Sequence, residues 1–233
     1  MVGRLLYHAK PGANDTLGSV ERAASYAVRR GLYRNFGKRG FDLALLALIT
    51  PIVLPIILAV TLLLMVQGQS PFYSQKRVGR GGREFRLWKF RSMYPQADTA
   101  LSDILAANPA LRAEWDAKQK LKDDPRVTPL GKYLRQTSID ELPQLLNVAL
   151  GQMSFLGPRP MLPEQQYLYG PALPVYRALR PGISGPWQVS DRNDSHFRRR
   201  AELDMEYARE LSFMTDVRLV WRTLRTVWYS TGC

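Results

Sequence analysis

The chain has 233 residues, and its 33 Lys and Arg against 20 Asp and Glu give a formal net charge of +13. That length holds one compact domain with a sizeable core and excludes two large domains with linkers. The charge calls for an anionic partner, whether nucleic acid, anionic lipid or a phosphorylated substrate, while a single cysteine, Cys233, excludes an internal disulfide or a clustered-cysteine zinc site and fits a reducing, cytoplasm-facing setting.

Residues 1–33 are mixed and polar, broken by Gly3, Pro11, Gly12 and Gly18, and lack the apolar stretch of a signal peptide. They read as a flexible N-terminal arm. The composition changes within residues 34–69, where the run FDLALLALITPIVLPIILAVTLLLMV (residues 41–66) carries Asp42 as its one charge. A straight apolar helix of about 20 residues crosses a bilayer core, so a single span is the default reading. Pro51 and Pro55 oppose it, because each removes a backbone donor and crowds the preceding turn. So do the flanks, basic on both sides: Arg29, Arg30, Arg34, Lys38 and Arg39 before, Lys76, Arg77, Arg80, Arg83 and Arg86 after. If positive charge marks the cytoplasmic side, both ends claim it. A helix that breaks near Thr50 and Pro51 and returns to the same face satisfies both observations, with Thr50 available to bond a freed carbonyl. A kinked span and a buried soluble helix are the alternatives.

Residues 70–233 make a cytoplasm-facing domain. Segments rich in Phe, Tyr, Val and Trp flank Gly79, Gly81 and Gly82 across residues 70–93, a hairpin pattern. Residues 97–122 are rich in Ala, Leu, Glu and Lys and are divided by Pro109 into two short helices. Helical segments follow near 142–150 and 201–211. From Thr215 onward, Val217, Val220, Trp221, Leu224, Val227 and Trp228 recur at helical spacing opposite Arg218, Arg222 and Arg225. That pattern suits a helix lying in the bilayer interface, and equally one packed on the domain. The fold class expected is α+β, mainly helical with a small β-hairpin.

The chemistry centres on the adjacent carboxylates Asp140 and Glu141. Ser138 and Glu141 match an S-x-x-E capping box, and Pro143 suits a first helical turn, so an ordinary helix start accounts for the pattern. A helix start also offers free N–H groups that favour carboxylate and phosphate. A carboxylate there can attack phosphorus, and a carboxylate pair can hold Mg²⁺. The two readings are compatible. Lys89 and Arg91 in WKFRSM, Arg135 in KYLRQ and Arg159 in GPRP supply cations for a diphosphate. Each alone reads first as a solvated charge, although Pro158 and Pro160 fix the backbone on either side of Arg159. His8 and His196 lack metal-ligand partners at useful spacing, and Walker, G-x-G-x-x-G and nucleophile-elbow patterns are missing.

The strings KRGFDLALLALITP, PFYSQKRVGRGGREFRLWKFRSM, DPRVTPLGKYLRQTSIDELPQLLNV, GQMSFLGPRPMLPE and RPGISGPWQVSDRN run in order from Lys38 to Asn193. Together they resemble the bacterial sugar transferases, the monotopic polyprenyl-phosphate phosphoglycosyltransferases. The resemblance implies a re-entrant membrane helix broken at a Ser-Pro type step, here Thr50–Pro51, with interfacial amphipathic helices. It implies that Asp140 is the nucleophile, that Glu141 completes the catalytic pair, and that Mg²⁺ is the cofactor. Arg159 becomes a nucleotide-diphosphate contact, flanked by Pro158 and Pro160, with Lys89, Arg91 and Arg135 as further phosphate or lipid contacts. The implied reaction is double displacement: Asp140 takes galactose- or glucose-1-phosphate from a UDP-sugar and releases UMP, then yields it to undecaprenyl phosphate, initiating exopolysaccharide assembly. Pro186 and Asp191 depart from the family's usual residues in the last string. The partners implied are UDP-sugar, undecaprenyl phosphate and membrane lipid at the cytoplasmic face of a bacterial inner membrane, with a homodimer compatible. Two rivals remain: a nucleic-acid-binding protein, which the apolar run opposes, and a catalytically silent assembly partner, which the intact carboxylate pair opposes.

Overall fold

The structure, a computed structural model, describes residues 31–118, 121–190 and 197–228. Most of the expected arm lies outside them, as do Asp191, Arg192 and His196. Tyr33–Gly37 winds as a π-helical turn into helix α1 (Lys38–Val66). The expected interruption is corrected here, because α1 stays helical through Thr50, Pro51 and Pro55. Proline's fixed φ suits a helix, so its cost is a lost hydrogen bond and crowding one turn back, and apolar surroundings penalise opening the remaining bonds. The Thr50 hydroxyl donates to the Leu46 carbonyl at 2.7 Å, one residue before the carbonyl that Pro51 frees.

Both ends of α1 rest on the same domain. At its start, Lys38 Nζ meets Asp216 Oδ2 at 2.8 Å and Asp42 Oδ1 at 3.7 Å. Asp42 Oδ1 accepts from Ser154 Oγ at 2.8 Å and Phe155 N at 3.1 Å, and Tyr207 donates to Asp216 at 2.7 Å. One lysine thus faces two buried carboxylates, and the hydrogen bonds from Ser154, Phe155 and Tyr207 offset part of the burial cost. Near its end, Leu64 packs with Phe90 and Leu134, joined by Ile57 and Val60. The other face leaves Leu43, Leu48, Ile52, Leu58, Leu62 and Leu63 exposed.

Strands β1 (Phe72–Val78) and β2 (Glu84–Phe90) form the expected hairpin, paired from Phe72↔Phe90 to Val78↔Glu84. Its turn takes positive φ at Gly81 and Gly82, the left-handed region that glycine enters without a Cβ penalty. Phe85 and Leu87 are buried on one face of the hairpin and Phe90 on the other. Helices α2 (Ala97–Ala107) and α3 (Pro109–Lys118) divide at Pro109 as the sequence implies. Helix α4 (Pro129–Gln136) starts with Thr128 Oγ1 accepting from Gly131 N and Pro129 at its first position. Gly131 lies so close to the chain after β2 that a Cβ would fall 1.9 Å from the Ser92 carbonyl oxygen. This contact sets α4 against the hairpin.

After the 3₁₀ turn Ile139–Glu141 comes α5 (Gln144–Ala149), within the segment expected to be helical. Strand β3 (Ser154–Leu156) pairs in parallel with β4 (Gly182–Ser184). That second small sheet was not foreseen: three-residue strands give too little alternation to read. Between them run the 3₁₀ segment Pro163–Ala172 and α6 (Leu173–Ala178), followed by α7 (Pro186–Val189), α8 (Phe197–Glu210) and α9 (Phe213–Trp228). The core joins β3, α6, α8 and α9 through Leu156, Val175, Leu179, Tyr207, Ala208, Leu211 and Leu219. Helix α9 is two-sided. Asp216 and Leu219 are buried, while Phe213, Met214, Val217, Trp221 and Leu224 are exposed, and Phe213 meets Tyr33 and Phe41 edge to face.

Candidate active site

The carboxylate pair sits on the turn between α4 and α5. Ser138 adopts φ +57 with no side-chain capping bond, so the capping box expected from Ser138 and Glu141 does not form. Helix α5 starts only at Gln144 and is six residues long, so a helix N-terminus does not supply the phosphate-favouring field either. Glu141 is recruited instead by Lys89 of β2, whose Nζ lies 2.7 Å from Glu141 Oε1 and 3.5 Å from Asp140 Oδ2. A left-handed, non-glycine residue two positions before a buried carboxylate is local strain of the kind that gathers at working sites.

Buried Asn147 fixes this turn to the hairpin. Its Nδ2 donates to the Arg86 carbonyl at 2.7 Å and its Oδ1 accepts from Trp88 N at 3.1 Å. The strand is thereby registered so that Lys89 faces the carboxylates. Arg135, on the last turn of α4, donates from Nε to Ser92 Oγ at 2.9 Å and faces Asp140 electrostatically. Arg159 NH1 stands 3.8 Å from Glu141 Oε1. Pro158 and Pro160 are buried on either side of it, and the Pro158 carbonyl accepts from Gly182 N at 2.8 Å. The structure therefore gathers Asp140, Glu141, Lys89, Arg135 and Arg159 at one place. Arg91, one residue past the end of β2, turns elsewhere, to the Ser70 carbonyl at 3.0 Å and the ring of Tyr73. Thr50 and Pro51 belong to the exposed middle of α1.

Burial pushes the Asp140 carboxyl above its ordinary range, opposed by Lys89 and Arg135 and reinforced by Glu141. The cations favour the ionised form that a nucleophile needs, while desolvation strips it of water. Burial lowers Arg135 somewhat from the usual arginine range, with Asp140 opposing that shift. Sequence reading missed Arg77 and Arg200, which lie beside Arg159, and Trp187, over whose ring Arg159 and Arg200 stand at 5.7 and 5.8 Å. Arg200 is one of three consecutive arginines, and periodicity does not say which of them turns inward.

Among the described residues, no cluster of three or more His, Cys, Asp or Glu could hold a metal ion. The carboxylates nevertheless converge on a cation, since Lys89 Nζ contacts both. Two carboxylates completed by phosphate oxygens and water suit Mg²⁺, which keeps much of its hydration.

A buried carboxylate ringed by lysine and arginine, on a domain with a long exposed apolar helix, defines a class of membrane-associated protein suited to phosphorylated substrates. The family model for bacterial sugar transferases matches residues 33–230, and the chain belongs to that family. It is 42% identical to the exopolysaccharide production protein ExoY of Sinorhizobium fredii, over 84% of this chain and 87% of that protein. It is 40% identical to the UDP-galactose-lipid carrier transferase of Erwinia amylovora, over 82% of this chain and 40% of that protein. With the undecaprenyl-phosphate glucose phosphotransferase of Komagataeibacter xylinus it shares 36% identity, over 81% and 35%. The chain thus spans well under half of the last two relatives and most of ExoY.

Proposed function

We propose that the protein transfers a sugar-1-phosphate from a UDP-sugar to undecaprenyl phosphate, as the first step of exopolysaccharide assembly at the cytoplasmic face of the inner membrane. One observation carries this reading: Asp140 is a buried carboxylate whose ionised form is supported by Lys89 and Arg135, beside Glu141 and Arg159. In the first half-reaction an Asp140 oxygen bonds to the sugar-bearing phosphorus. The bond from that phosphorus to the bridging oxygen breaks, and UMP leaves with the oxygen. In the second, an oxygen of undecaprenyl phosphate takes the phosphorus and Asp140 is released as carboxylate. Lys89 and Arg135 favour the ionised form against the burial that raises the Asp140 carboxyl, and Arg159 meets the diphosphate. Asp140 and Glu141 would hold Mg²⁺, which when bound neutralises diphosphate charge; Lys89 then turns to phosphate oxygens.

The membrane reading is supported by α1, whose two ends meet one domain although Asp42 and Leu64 would be about 33 Å apart on a straight helix. A span would carry one end across the bilayer and away from that domain. Galactose is the donor sugar favoured, since the relative named for UDP-galactose is more similar than the one named for glucose.

The test is UMP release by membrane-embedded protein from a panel of UDP-sugars with Mg²⁺ and undecaprenyl phosphate, with Asp140→Asn as control. Release that tracks lipid-linked sugar and falls at least about a thousandfold in the variant is expected. If folded protein with active lipid gives no release above that control with any sugar, the transferase reading fails and the silent assembly partner remains.

A further inference from the structure

The double displacement leaves part of the site's charge without a role. Arg77 of β1 donates to the Pro160 carbonyl at 3.4 Å and to Gln75 Oε1 at 2.7 Å, and its buried Nε has no hydrogen-bond partner among the described residues. Burial, then repulsion from Arg159 and Arg200, brings its guanidinium down to about 10. Arg200, 7% exposed, donates to the Arg159 carbonyl and lies over the rings of Tyr169 and Trp187 at 5.6 and 5.8 Å. Of the carboxylates facing this group, Asp204 attracts Arg200 and accepts from Tyr169 Oη at 2.7 Å, and Glu141 is already held by Lys89. Like charges kept together away from solvent cost free energy that an incoming anion offsets.

We propose that Arg77 and Arg200 back Arg159 in a single anion pocket used twice, first by the phosphate of departing UMP and then by the incoming lipid phosphate. This rests on the functional reading above. Phosphoryl transfer places the attacking and leaving oxygens in line across phosphorus. Asp140 therefore attacks opposite UMP, and the lipid phosphate must attack opposite Asp140, from the place UMP left. The phosphate retained by UMP gains a negative charge as the bridging bond breaks, and the lipid phosphate arrives as an anion, so one cationic surface serves both. Arg159 is the contact, while Arg77 and Arg200 are positioning residues that hold it and supply field.

The experiment uses the full chain in lipid nanodiscs and measures binding of UMP and of uridine, together with KM for undecaprenyl phosphate, for wild type, Arg77→Gln, Arg200→Gln and Arg200→Lys. Expected is UMP affinity weaker by about tenfold to a hundredfold in the two Gln variants, with KM for undecaprenyl phosphate rising in parallel. Uridine, which lacks the phosphate, should bind as in wild type, and Arg200→Lys should recover most of the loss. The pocket is overturned if UMP and uridine weaken together, if UMP is unaffected, or if UMP weakens while the lipid KM stays fixed. If wild-type protein releases no UMP from any UDP-sugar, it is the functional reading that fails.

Discussion

At the scale of single residues, burial and charge decide what each carboxylate does. Burial raises both buried carboxyls: at Asp140 it is opposed by Lys89 and Arg135, and at Asp204 it outweighs the attraction of Arg200 and the bond from Tyr169, pushing the carboxyl up to about 6. The sign of the consequence follows from linkage. Unfolded Asp204 titrates near 3.8, so between the two values the folded chain holds the proton more tightly. The stability contribution is therefore greatest below the lower value and falls as pH rises through the window, by about 3 kcal/mol. Asp204→Asn keeps an acceptor for Tyr169 and removes the titration. Denaturant midpoints from about pH 4 to about pH 7 should show wild-type stability falling relative to the variant; a constant difference refutes the assignment.

At the scale of elements, amphipathic helices are readable to the extent that one face must be apolar. The tail helix read equally as lipid-facing and core-facing, and α9 is both: Leu219 and Asp216 enter the core while Val217, Trp221 and Leu224 form an outer stripe. An outward apolar stripe with interspersed arginine suits the headgroup boundary. Environment-sensitive probes on Trp221→Cys, Leu224→Cys or Arg218→Cys, in a Cys233→Ser background, should separate these faces in vesicles carrying lipid-borne quencher. Positions 221 and 224 should be quenched at least about twofold more than 218, given the shallow depth of such helices. Equal quenching at all three positions contradicts an interfacial orientation. The turn before α5 teaches the opposite lesson, since its capping pattern was plain but Lys89 outcompeted the backbone amides for Glu141. A charged partner brought in by the hairpin makes a stronger bond than a neutral cap.

At the scale of the whole molecule, both ends of α1 dock on one domain. Gly31 and Gln67 flank the segment Tyr33–Val66, both are exposed, and a Cβ at Gly31 meets nothing within 4 Å. In a Cys233→Ser background, Gly31→Cys and Gln67→Cys should both react with a membrane-impermeant thiol reagent from the cytoplasmic side alone. Reaction of one from each side means that α1 spans the bilayer, and the contacts of Leu64 with Phe90 and Leu134 then break.

The sequence by itself determined the local features of this protein. The hairpin around Gly81 and Gly82, the helix boundary at Pro109, the apolar run and the acidic pair Asp140–Glu141 all depend on residues near one another in the chain. Only the tertiary structure decided that both ends of α1 meet one domain, that Arg91 leaves the site, that Glu141 pairs with Lys89, and that Arg77 and Arg200 join Arg159. Those outcomes depend on which face of a strand or helix meets which partner across long separations, and a contact such as Lys38 to Asp216 leaves no periodic trace in the residues that make it.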